Sequence, residues 1–277
     1  MIDKTEKTFS GATDYVLDDE LAKIVNISMA LEMPLLLKGE PGTGKTMLAY
    51  AIAETLGMPL IVLNVKSSIK LIEGLYQYDT LTRLNDSRFG DSIRDVSNIK
   101  DYLKMGKIGR AFTSERRAVL LIDEIDKADT DFQDDMLDVL DQMQFDIIET
   151  DETVTARHRP VIIITSNAKK DLSDPFLGRC NFHHIAFPDP QMMRRIIKVH
   201  FPDLAPTLEG NAISTFYKLR ELDSIEKRPA TRELINWIRA LNADPDFNPQ
   251  QLTTGNIPFL GVLFKKSQDY HIAVKEL

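Results

Sequence analysis

The stretch Pro34–Gly57, PLLLKGEPGTGKTMLAYAIAETLG, constrains this chain more than any other. Leu35-Leu36-Leu37 has the length and bounds of a buried strand. Gly39-Glu40-Pro41-Gly42-Thr43-Gly44-Lys45-Thr46 follows, a full match to G-x-x-x-x-G-K-[ST]. Met47, Leu48, Ala51, Ile52 and Leu56 then recur at helical spacing, and Gly57 stands where a helix C-terminal cap belongs. Strand, glycine-rich loop and helix come in the order that a phosphate cradle needs, and they predict an α/β fold.

The residue types explain the cradle. Gly42 and Gly44 let backbone N–H groups turn inward around a polyphosphate, where a Cβ would collide. The helix beginning near Lys45 adds its dipole and free N–H donors. Lys45 is expected to reach the β- and γ-phosphates, and Thr46 to place a hydroxyl on Mg²⁺. Gly39 to Met47, with Glu40, Pro41 and Thr43 between them, is therefore the predicted phosphate-binding segment.

A second stretch lies about eighty residues on. Val119-Leu-Leu-Ile122 reads as a buried strand that ends in Asp123-Glu124. Two carboxylates there are costly unless a cation or a proton transfer uses them. Asp123 is placed to hold Mg²⁺ through water and Glu124 to polarise an attacking water. The plainer alternative is a pair of acids favouring a helix N-terminus. Val161-Ile-Ile-Ile-Thr165 reads as a third buried strand, ending in Ser166-Asn167, where parallel sheets bind ligands.

With 277 residues the chain holds one large domain or two modest ones. No apolar run is long enough to span a bilayer, and MIDKTEKTFSG lacks the apolar region of a signal peptide. A lone Cys180 excludes an internal disulfide and fits a reducing cytoplasm. The net charge of −8 is uneven: residues 123–152 hold 13 acidic groups against Lys127 alone. That stretch is either a solvated helix face or an acidic flank that meets a neighbouring subunit's basic flank. An acidic total argues against general nucleic-acid affinity.

Elsewhere, residues 1–10 read as a frayed tail, and Asp18-Asp19-Glu20 starts a helix with Leu21, Ile24, Val25 and Met29 on one face. Tyr15 and Val16 either pack against a nucleotide base or join the core. Leu60–Val65 reads as a second buried strand, making a right-handed βαβ unit with the first. Residues 66–109, with Tyr76, Tyr78, Arg83, Arg88 and Arg94, are long for a connection and predict an insertion, helical around Ile99–Met105.

Phe132, Met136, Val139, Leu140 and Met143 mark a helix. Phe145–Glu149 and Val154–Arg157 predict a hairpin, and Phe182–Phe187 a further strand. His183 and His184 have no further ligand at metal-site spacing. Pro188-Asp189-Pro190 is the predicted domain boundary, with helices near 191–200, 207–220 and 230–242 beyond it.

These motifs together resemble an AAA+ ATPase, and within that class the MoxR branch, over residues of about 12–265. Gly39–Thr46 resembles Walker A and Val119–Glu124 Walker B; Asn167 matches sensor 1. Arg179, in Phe-Leu-Gly-Arg-Cys, matches the trans-acting arginine finger, and Arg232, in Arg228-Pro-Ala-Thr-Arg-Glu-Leu, matches sensor 2. Arg194, Arg195 and Arg228 compete for these two roles. Gly178, Cys180 and Asp126-Lys127 depart from the family's more frequent residues.

The resemblance implies a P-loop NTPase αβα sandwich over 1–188, with insertions near 66–109 and a hairpin near 144–159. It also implies an all-helical lid over 189–277. The implied activity is ATP hydrolysis with Mg²⁺ in a homo-oligomeric, hexameric ring. That ring would remodel a client complex, with a partner carrying a von Willebrand factor A domain, in metal or cofactor-centre assembly. An ATP-gated interaction module with little turnover is the alternative from another class, and a nucleic-acid motor a third; the acidic pI near 5.2 speaks against the last.

Overall fold

The computed structural model describes residues 8–89, 95–167, 170, 172–255 and 257–276. The chain divides into two compact units. One gathers residues up to 12 with 17–39 and 45–185; the other gathers 13–16 and 40–44 with the chain from 186 onward.

In the first unit Asp18 caps α1 (Asp19–Ala30), its carboxylate accepting from the Leu21 N–H at 2.7 Å. Then come β1 (Leu35–Lys38), α2 (Lys45–Leu56), β2 (Leu60–Asn64), α3 (Leu71–Leu75), β3 (Tyr76–Tyr78) and α4 (Thr80–Phe89). Next are β4 (Leu103–Met105), α5 (Lys107–Phe112), β5 (Val119–Asp123), α6 (Thr130–Gln142), β6 (Gln144–Ile147), β7 (Glu152–Thr155), β8 (Val161–Ser166), α7 (Asp174–Gly178) and β9 (Asn181–His184). Gly57 adopts φ +68° just past α2, the left-handed stop its position predicts.

Five strands form one parallel sheet in the order β2-β5-β8-β1-β9. The apolar runs are continuous because both faces are covered. Leu36, Leu120, Ile122, Ile162 and Ile164 share a core with Ile108 and Phe112 of α5 and Phe132, Met136 and Leu140 of α6. Their neighbours Leu35, Leu37, Leu121 and Ile163 point to the opposite face and are equally buried. There α2, with Leu48 and Ile52 fully buried, packs across β2, β5 and β8. Each such Leu or Ile contributes about 1.5–3 kcal/mol on burial.

Several expectations change. β1 and β2 are parallel strands of one sheet, as expected of a βαβ unit, but β5 and β8 lie between them. Among the described residues β2 pairs only with β5 and is an alternating, half-buried edge strand rather than a buried one. The patch at Ile99–Met105 is one 3₁₀ turn (Ile99–Tyr102) running into β4, which pairs antiparallel with β3. Arg94 lies outside the described residues. Of the expected tail, residues 1–7 lie outside the described residues, and Phe9 is not frayed: its ring is buried, and its N–H and C=O both bond the Asn26 amide at 2.8 Å. β6 and β7 form the expected hairpin.

In the second unit α8 (Pro190–His200), α9 (Pro206–Arg220), α10 (Thr231–Ala243), α11 (Leu260–Leu263) and α12 (Ser267–Glu276) surround one apolar cluster. Trp237, Phe216, Leu234, Met193 and Ile197 are fully buried in it, and the indole N–H reaches the Pro258 carbonyl at 2.9 Å. A buried Asp269 accepts from the Glu226 and Lys227 N–H groups, closing the turn before α10. Among the described residues no helix is long and apolar enough to cross a membrane.

Candidate nucleotide site

Strand register decides which side chains meet. Lys38 of β1 lies opposite Ser166 of β8, so Gly39 and Asn167 leave the sheet side by side. Ile122 of β5 lies opposite Ile164, which brings Asp123 level with Thr165. Three separate stretches of sequence thus converge at the carboxyl edge, where the chain departs left toward β2 and right toward β9.

In the first unit the convergence is a hydrogen-bonded chain. The Thr46 hydroxyl donates to Asp123 Oδ1 at 2.9 Å, and the Thr165 hydroxyl donates to the same oxygen at 2.7 Å. Thr165 also accepts from the Glu124 N–H at 2.9 Å. Asn167 Nδ2 donates to Glu124 Oε1 at 3.1 Å, while its backbone N–H bonds the buried Asp126 carboxylate at 3.1 Å. Lys127 Nζ holds the other oxygen, Glu124 Oε2. That bond raises the Lys127 pKa, with Asp126 and Asp123 adding to it. Lys45 is 6% exposed, and its Nζ donates to the Gly39 carbonyl at 2.9 Å.

Glu124 adopts φ +61°, a left-handed conformation that costs a non-glycine residue about 1–2 kcal/mol. Its N–H and both carboxylate oxygens are engaged, which is what sustains the strain. Thr165 was not singled out in the sequence. The only signal was a polar residue closing an apolar run, and its role depends on Asp123 and Glu124 arriving from another strand. Lys127 and Asp126 stood in the sequence only as departures from a pattern.

The second unit holds the glycine-rich residues 40–44. Gly42 and Gly44 have φ +81° and +91°, and the Thr43 hydroxyl bonds the Glu40 carbonyl at 3.0 Å. A Cβ on Gly42 would stand 2.6 Å from that of Ala230, and one on Gly44 would stand 3.3 Å from the Tyr15 ring. Tyr15 is half-buried against this loop, and Val16 is half-buried beside it. Pro41 is exposed in the loop, and Met47 is 51% exposed one turn into α2. The Thr231 hydroxyl, at the start of α10 beside Gly42, is buried with no hydrogen-bond partner among the described residues. In this unit a loop without room for Cβ atoms and an orphan hydroxyl fit a phosphate group; in the first unit a hydroxyl and a carboxylate held together fit a divalent cation.

The two arginines expected at the site lie one in each unit. Arg179, at the end of α7, pairs with Asp141 of α6 at 2.6 Å and donates to the Pro175 carbonyl at 3.3 Å. Arg232 is exposed in the first turn of α10, as is Arg228 in the turn before it. The outer face of α6 presents Asp131, Asp134, Asp135, Asp138 and Asp141 to solvent.

The chain is 26% identical over 238 residues to the ATP-dependent zinc metalloprotease FtsH 3 of Sphaerobacter thermophilus, covering 77% of this chain and 42% of that protein. It is 29% identical over 160 residues to the Lon protease of Mycoplasma mobile, covering 52% of this chain and 16% of that one. The chain thus spans less than half the length of these curated relatives.

Among solved structures, NtrX from Brucella abortus in complex with ADP superposes with a TM-score of 0.55 at 15% identity, over 84% of this chain and 53% of that one. The shared feature is the AAA+ P-loop NTPase fold. Residues 35–188, more than half of the chain, match the ATPase family associated with various cellular activities. The chain therefore belongs to the AAA family.

Proposed function

We propose that this chain is an ATP-hydrolysing, MoxR-like AAA+ chaperone that remodels a client complex as a hexameric ring. Residues 1–188 serve as the nucleotide-binding domain and 189–277 as a helical lid. The observation that carries the reading is the bonded chain Thr46–Asp123–Thr165–Glu124–Asn167. It supports a site in which one carboxylate sits with a hydroxyl while the next is held apart, oriented by an amide.

In this reading Gly39 to Met47 cradle the triphosphate of ATP and Lys45 balances its charge. Thr46 and Asp123 would hold Mg²⁺, which supplies charge neutralisation on the phosphates. Glu124 takes the proton of the attacking water, and Asn167 fixes the carboxylate that does so. Arg232 meets the γ-phosphate from the same subunit, and Arg179 from a neighbour. The Asp141 pair of Arg179 is nearly half exposed, so a neighbour can displace it at small cost. A von Willebrand factor A domain partner, a client in metal or cofactor assembly and a cytoplasmic location complete the proposal.

One observation favours a second reading, an ATP-gated interaction module with little turnover. Both Glu124 oxygens are already bonded, one of them to a lysine. ATP turnover against protein concentration, for wild type, Glu124→Gln and Arg179→Ala, separates the two. The remodeller reading expects activity per subunit to rise with concentration, to vanish in Glu124→Gln, and to collapse in Arg179→Ala with ATP binding retained. Wild type that binds ATP without turnover leaves the module reading standing; flat activity shared by Arg179→Ala removes the ring-completed site.

A further inference from the structure

Arg220, the last residue of α9, has only 8% of its side chain exposed, although it carries a full charge. Its guanidinium lies over the Phe187 ring, 3.4 Å from the centroid. Nη1 donates to the Pro229 carbonyl, and Nη2 donates to Glu40 Oε2 at 2.8 Å. All four residues belong to the second unit. Burying a guanidinium is costly unless its edges are bonded and its face is covered, and here both conditions hold. An arginine that only rounded off a helix end would stay in water.

Its position explains the arrangement. Glu40 is the second residue of the phosphate loop, and its carboxylate repels any polyphosphate the loop receives. The same arginine fixes Pro229, whose neighbour Ala230 is the surface that Gly42 lies against. Arg220 therefore acts on the loop twice, on Glu40 directly and on Gly42 through Pro229-Ala230.

We propose that Arg220 is the positioning residue of the phosphate loop: it neutralises Glu40 and fixes the loop so that a nucleoside triphosphate is accepted. This rests on the ATP-binding reading above. Without the Arg220 charge, Glu40 should repel each added phosphate more strongly, so the penalty should be larger for ATP than for ADP.

The test is calorimetric titration of ATP and ADP into wild type, Arg220→Met, Glu40→Gln and the double variant, with folding checked by circular dichroism. Methionine keeps an unbranched chain over Phe187 and removes the charge. Arg220→Met should weaken ATP binding about tenfold, equal to about 1.4 kcal/mol, and ADP less. The double variant should recover most of that loss. Glu40→Gln alone should tighten ATP binding several-fold, and it decides the matter even if Arg220→Met fails to fold.

An Arg220→Met that binds ATP as wild type does overturns the proposal. So does a double variant as weak as Arg220→Met, since packing alone would then explain the loss. So does a Glu40→Gln that binds more weakly. Wild type that binds no nucleotide refutes the ATP-binding reading itself, and this proposal with it.

Discussion

Replacing Thr165 with valine keeps the shape of a fully buried side chain and deletes one hydroxyl that does two jobs. It donates to Asp123 Oδ1 at 2.7 Å and accepts from the Glu124 N–H at 2.9 Å. Losing a hydrogen bond to a charged acceptor costs about 1.5–3 kcal/mol, and an abandoned amide about 1–3 kcal/mol. The two do not add fully, because Asp123 keeps the Thr46 hydroxyl at 2.9 Å. The expected loss is therefore about 2–4 kcal/mol, which lowers the urea midpoint by about 1 M for an m-value near the upper end of the usual range.

Thr165→Ser supplies the control, since it sheds one methyl, about 0.8 kcal/mol, and keeps both bonds. Urea unfolding of both variants, followed by circular dichroism, is the assay. A valine variant as stable as wild type refutes the reasoning, as does a serine variant that loses as much as the valine one. ATP turnover measured on the same samples should fall in Thr165→Val and survive in Thr165→Ser, because the left-handed Glu124 backbone is held through that N–H.

Two further outcomes follow from single groups. Burial, with the Asp141 carboxylate adding, pushes the Cys180 thiol up to about 12, so at pH 8 its thiolate fraction is about a thousandfold below that of an unfolded cysteine. As Cys180 is the only cysteine, iodoacetamide should label native protein very slowly and urea-unfolded protein quickly; fast native labelling sinks this account. The hydrogen bond from Lys104 at 2.9 Å, together with the Thr82 N–H, holds the Asp79 carboxyl down to about 2. A depressed carboxyl stabilises fully above its unfolded value and loses that contribution as pH falls through the folded one. The tie between Asp79, just past β3, and Lys104 of β4 should therefore persist at pH 3, be half lost near pH 2 and go only below it; an Asp79 midpoint near 4 by NMR would contradict it.

Much of the site was legible because its chemistry is local. Gly42, Gly44, Lys45 and Thr46 need only backbone freedom, a helix start and a charge at fixed spacing, and each of these is written in consecutive residues. The strands β1, β5 and β8 were legible for a similar reason, since a strand covered on both faces must be apolar throughout. β2 reads as buried in the sequence yet lies half-exposed at the sheet edge, because an edge position depends on which strands pair, and no local pattern encodes that. The Phe9 anchor depends on Asn26, seventeen residues away, and was equally invisible.

The sequence by itself determined that a glycine-rich loop carrying Lys45 and Thr46 follows a buried strand, and that two carboxylates end another. Only the tertiary structure decided that Thr165 ties those carboxylates together, that Lys127 and Asn167 share Glu124, and that Arg220 reaches Glu40 across 180 positions. Local propensity acts over a few residues, whereas the Thr165 and Asn167 bonds require strand order and register to bring distant residues within hydrogen-bond reach. That order is set by which faces the whole chain can bury, a property no short window of sequence contains.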